Sequence, residues 1–184
     1  MNLTTKVLTD HFQPDQMTGA RPLDFSFFNL TIAPPHDLIE LLSLYGSGTF
    51  CCSSGDSIRI FPPDADSAEF LRYALESHAQ AMANLGGDYD DAEMTLPRTF
   101  FVGHPQGLPA NMIYWGHSDN GVMLCSLFMN EQMGWTTVLI DGDFQRMACY
   151  FKSPAAVILG SFMSQFFQPF IPESYGPYTF KSEQ

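Results

Sequence analysis

Residues 108–128 read LPANMIYWGHSDNGVMLCSLF, residues 134–151 read GWTTVLIDGDFQRMACYF, and residues 153–167 read SPAAVILGSFMSQFF. Together they decide the fold. Apolar residues cluster in short runs separated by turn residues, the pattern of strands. Asn120-Gly121 within Ser118–Gly121 is a hairpin signal, because both residues tolerate positive φ at low cost. Asp141-Gly142-Asp143 is placed to join the next pair. Strands are therefore expected at 111–115, 122–128, 135–140 and 144–150. Ser153 then caps a helix with Pro154 in its first turn, where the missing N–H has no helical partner.

Working toward the N-terminus, FFVG at 100–103 reads as a further strand. A helix is expected from 64–67 to about Leu85, with Leu71, Ala74, Leu75, His78, Met82 and Leu85 at helical spacing. Asp64, Asp66 and Glu69 stand at its N-terminal end, where negative charge is favourable. TFCCSS and SIRIFPP read as two strands about Ser54-Gly55-Asp56. Before them, Pro34-Pro35 open a helix with apolar residues Leu38, Ile39, Leu41 and Leu42, which Gly46 stops. Residues 1–30 are ambiguous, with 24–30 a strand or a short packing segment. The tail FIPESYGPYTFKSEQ is too rich in Pro and Gly for a regular element.

The chain has 184 residues, 45% of them hydrophobic and 15% charged. That suits one well-buried domain. Its formal charge is -12. Acidity of that size opposes direct binding to nucleic acid or anionic membranes and favours a basic protein partner. No run of about 20 apolar residues is present to span a membrane. The first fifteen residues lack the apolar core of a secretory signal, so a cytoplasmic location is expected. Cys51 and Cys52 are adjacent, while Cys125 and Cys149 lie in apolar strand patterns. All four read as free thiols, and the absence of CxxC spacing argues against zinc. No metal or other cofactor is expected.

The order of elements resembles the SUKH superfamily, which includes bacterial immunity proteins and fungal cell-wall-synthesis regulators. The residues that carry the resemblance are Tyr45-Gly46-Ser47-Gly48-Thr49-Phe50 after a helix and the strand Ile58-Arg59-Ile60. Then come Ile113-Tyr114-Trp115-Gly116, the turn Asn120-Gly121, the strand Met123-Leu124-Cys125, Trp135, and Tyr150-Phe151-Lys152-Ser153-Pro154 before a helix. The resemblance covers a core of about 32–167, with an N-terminal extension (1–31) and a Pro-rich tail (168–184). It implies a single α+β domain in which helices cover one side of a mainly antiparallel sheet. It also implies non-catalytic protein binding, above all immunity: occlusion of a cognate bacterial toxin. The alternative is a regulatory or scaffolding module on the same fold.

Candidate binding residues follow from charge. Asp88, Asp90, Asp91 and Glu93 crowd one loop with Tyr89 among them, a possible anchor for a basic interface. The bland alternative is a solvated acidic loop. Trp115, Gly116 and Trp135 define a possible groove, against the simpler reading of packed indoles and a backbone-determined glycine. A hydrolase using His117 or Cys51 is the least favoured reading, because spacing alone brings no base to a nucleophile.

Overall fold

A computed structural model describes residues 2–14, 23–53, 55–84, 110–140, 147–150, 152–163 and 178–183. Among the described residues, four helices and seven strands lie in the order α1 (Leu3–His11), α2 (His36–Tyr45), β1 (Gly48–Cys51), β2 (Ser57–Ile60), α3 (Ala65–Asn84), β3 (Met112–Ser118), β4 (Met123–Asn130), β5 (Gly134–Ile140), β6 (Met147–Tyr150), α4 (Pro154–Met163) and β7 (Thr179–Ser182). The strands form one antiparallel sheet, ordered β6-β5-β4-β3-β2-β1-β7. The α+β class and the antiparallel sheet thus hold. Sequential strands are neighbours from β1 to β6, which needs only short turns except where α3 intervenes.

Local chemistry sets the helix starts. The Asn2 side chain accepts from Thr5 N at 2.8 Å to open α1. Asp64 and Ser67 cap α3 reciprocally, Ser67 N donating to Asp64 Oδ1 at 2.8 Å and Asp64 N to Ser67 Oγ at 2.9 Å. Ser153 Oγ accepts from Ala156 N at 3.3 Å and opens α4, as its sequence position predicts. Each cap satisfies an amide that has no partner within its helix. Gly46 ends α2 at φ +67°, a conformation that glycine adopts without a Cβ penalty.

Strand alternation assigns the two faces of the sheet. Phe50 pairs with Ile58, which pairs with Ser118, while Gly48, Ile60 and Gly116 align in the same way. These residues share a face. Phe12, just after α1, approaches the Phe50 ring at 5.1 Å, Tyr45 of α2 at 4.9 Å, and Phe162 of α4 lies 5.2 Å from Phe12. Helices α1, α2 and α4 therefore cover this face through an aromatic core. Tyr45 adds a hydrogen bond from its hydroxyl to Phe12 O at 2.8 Å. Arg59 and His117 are register partners on the opposite face, where α3 packs against β3 and Phe70 stacks on Tyr114 at 5.5 Å. The register shift between Tyr114 and Gly116 makes Trp115 the extra residue of a bulge. That bulge puts Tyr114 and His117 on one face although they are three apart.

One sequence expectation changes and two open readings are resolved. The tail contains a strand after all: β7 pairs with β1, and Phe180 packs 4.8 Å from both Phe50 and Tyr45. Burial of Phe180 outweighs the turn-forming composition around it. Residues 3–11 form a helix that the sequence left ambiguous, held by buried Leu8 and by Phe12 just after it. Of the two readings open for residues 24–30, the structure has the short packing segment and not the strand: a turn closed by Phe28 N to Phe25 O at 3.1 Å, with Phe28 buried. The FFVG strand at 100–103 and the Asp141-Gly142-Asp143 turn lie outside the described residues.

Gly116 illustrates how tightly the sheet is built. A Cβ placed there would stand 2.6 Å from Arg59 O. Gly116→Ala should therefore part β2 from β3 locally and cost about 1–3 kcal/mol, the usual range for overpacking. Chemical denaturation of the variant would check this; an unchanged midpoint would contradict it.

Candidate functional site

On the α3 face of the sheet the chain forms an open groove of ≈ 730 Å³. Its floor comes from Arg59 of β2, Tyr114 and His117 of β3 and Met123 of β4. Phe61, Pro62 and Pro63, which follow β2, form one wall, Ser67 and Phe70 of α3 another, and Phe27 and Asp24 of the 24–30 turn also line it. Two prolines in succession stop β2 from continuing and steer the chain into α3.

Aromatic rings dominate. Phe61 meets Tyr114 edge-on at 4.9 Å and His117 at 5.8 Å. Phe70 stacks on Tyr114 yet remains 43% exposed, and Phe27 is 46% exposed. Tyr73, 62% exposed, lies three residues beyond Phe70 on the same side of α3. Large exposed aromatics in one region mark a contact surface more often than isolated surface residues do.

Charges are arranged around these rings. Asp24, Asp64 and Asp66 line the groove and are exposed. Hydrogen bonds from Ser26 hold the Asp24 carboxyl below its ordinary pKa, so it stays ionised at neutral pH. Asp66, Glu69 and Glu76 are exposed on α3 with Arg72. Arg59 binds Glu183 at 2.7 Å, so its charge is locally cancelled.

His117 is kept neutral. Burial pushes its pKa down first and the nearby Arg59 adds to this, with Glu183 opposing. Burial raises the Tyr114 pKa. The phenol therefore keeps its proton and shares a hydrogen bond with His117 Nδ1 at 3.0 Å. The sign of the pH effect follows. The folded-state pKa of His117 lies below the ordinary value of 6.5, so the unfolded chain takes up the proton first on acidification. Stability from this group is complete above about pH 6.5 and is lost as the pH falls toward the folded-state pKa. His117→Gln should flatten the decline of unfolding free energy as the pH falls below about 6.5; identical slopes in both proteins would contradict the assignment.

The other sequence candidates fall elsewhere. Asp88, Tyr89, Asp90, Asp91 and Glu93 lie outside the described residues. Trp115 is fully buried, and among the described residues its indole N–H has no acceptor. Trp135 is half-buried against Phe128 and donates to Ala33 O at 3.1 Å. Gly116 pairs with Ile60 and Leu124. Trp115, Gly116 and Trp135 do not line the groove just described.

Cys51 shares the face of His117 but sits one register pair over and two strands away, about 12 Å by strand geometry. Burial raises its pKa, which disfavours the thiolate. Asp119 Oδ2 accepts from Ser57 N at 3.1 Å, tying that carboxylate to β2. Cys51, Cys125 and Cys149 are free thiols; burial pushes Cys149 up to about 12. Among the described residues no set of three or more His, Cys, Asp or Glu side chains is placed to hold a metal ion, and no helix is long and apolar enough to cross a membrane.

The groove was legible in the sequence only as parts. Phe61-Pro62-Pro63 and the acidic start of α3 stand out. Nothing local says that a bulge at Trp115 turns Tyr114 and His117 toward them. Compared with known proteins, the chain matches no family model, no curated protein and no solved structure.

Proposed function

We propose that this chain is a non-catalytic binding domain for a basic protein partner, acting as an immunity protein that occludes a cognate toxin. The observation that carries the reading is the placement of Phe27, Phe70 and Tyr73 in solvent beside Asp24, Asp64, Asp66 and Glu69. Aromatic anchors with a charged rim are the usual makeup of a binding hot spot. The formal charge of -12 would speed encounter with a basic partner and repel phosphate backbones. The resemblance to the SUKH superfamily supports the same reading. The helix running into Gly46, the β1–β2 pair, the β3–β6 meander and the helix opened by Ser153-Pro154 follow the order on which it rests. The free thiols of Cys51, Cys125 and Cys149 accord with a reducing cytoplasm. The alternative of a regulatory or scaffolding module would use the same surface. The hydrolase reading draws little support, since His117 is hydrogen-bonded to a protonated phenol and lies far from Cys51.

Affinity capture from the native cell, followed by titration of each purified captured protein, tests the proposal. A basic partner that arrests growth when produced alone, that this chain neutralises, and that salt releases from it, is the expected result. Partners that are all neutral or acidic would overturn it.

A further inference from the structure

We infer that the groove between α3 and the sheet is a receptor for one cationic side chain of the partner, a guanidinium above all. This rests on the basic-partner reading and names the group that the partner would insert.

The walls supply the first argument. Phe61 and Phe70 pack on the buried Tyr114 ring at 4.9 and 5.5 Å, and Phe70, 43% exposed, leaves a ring face open at the cleft. A planar guanidinium stacks on such faces and loses little by leaving water, because it is weakly hydrated. Charge supplies the second. Asp24, Asp64 and Asp66 line the cleft, and its lining arginine, Arg59, is already bound to Glu183 at 2.7 Å. The neighbouring His117 is neutral, so the cleft is negative overall. An anionic ligand would need Arg59 or the start of α3, but Glu183 occupies the first, and Asp64 with Ser67 already caps the second. Size supplies the third: ≈ 730 Å³ lies within the range of ligand pockets and leaves room for flanking backbone.

The test uses the full chain, labelled with nitrogen-15, and three blocked tripeptides: Gly-Arg-Gly, the same peptide with citrulline in place of arginine, and Gly-Glu-Gly. The arginine peptide should give saturable shifts at Phe61, Phe70, Tyr114 and His117. Citrulline should bind at least about tenfold more weakly, as expected if charge and not shape dominates. Phe70→Ala and Asp66→Asn should each weaken the arginine peptide several-fold while the spectrum stays dispersed. Both side chains are exposed, so the fold should tolerate their loss. Equal binding of citrulline, tighter binding of the glutamate peptide, or no saturable shift with arginine would each overturn the receptor. If the receptor fails but Tyr73→Ala still weakens a purified basic partner, the surface reading survives without it. If that variant also leaves the partner unaffected, both fall.

Discussion

Phe50→Ala should lower the unfolding free energy by about 3–5 kcal/mol, the range for removing a large aromatic from a packed core. Phe50 is fully buried in the middle of β1. Its ring meets Phe12, just after α1, at 5.1 Å, Tyr45 of α2 at 4.9 Å and Phe180 of β7 at 4.8 Å. One truncation thus loosens the N-terminal helix, the second helix and the last strand together. The cavity cannot close readily, because Tyr45 is held by its bond to Phe12 O and Gly48 lies against the Phe180 ring. Denaturant titration would check this. A loss under about 1.5 kcal/mol would mean that the helices do not rely on this cluster.

The second large effect concerns binding and not folding. Phe70→Ala combined with Tyr73→Ala should weaken the basic partner about thirtyfold or more, equivalent to about 2 kcal/mol at a hot spot. The unfolding midpoint should barely move, since both rings are more than two-fifths exposed. Asp66→Asn should act more through encounter and salt dependence, because a rim charge chiefly steers association. Titration calorimetry at two salt concentrations separates the two contributions.

Much of the architecture could be read from the chain because local signals agreed with the fold. Asn120-Gly121 sets the β3–β4 turn, with Gly121 at φ +84°. Ser153-Pro154 opens α4, and Gly46 closes α2. The missed elements depend on distant contacts. Residues 3–11 have few strong helix signals, and what holds them is Phe12 meeting Phe50 and Phe162 far along the sequence. β7 is invisible locally because its identity comes from pairing with β1 across 128 or more positions and from the ion pair of Arg59 with Glu183. The same applies to the groove. Charge in the sequence points to the loop of Asp88, Asp90, Asp91 and Glu93 and not to this groove, where His117 and Tyr114 become neighbours of Phe61 only through the bulge at Trp115. A bulge shifts every later side chain to the other face, and no residue type announces it.

The measurement that bears most directly on the central claim is hydrogen exchange of the full chain with and without its purified basic partner, at low and at high salt. The account predicts slowed exchange along α3 and at residues 24–30 and 61–64, lost at high salt and lost with Phe70→Ala and Tyr73→Ala. Protection confined to the α1, α2 and α4 face, or unchanged by salt, would contradict it.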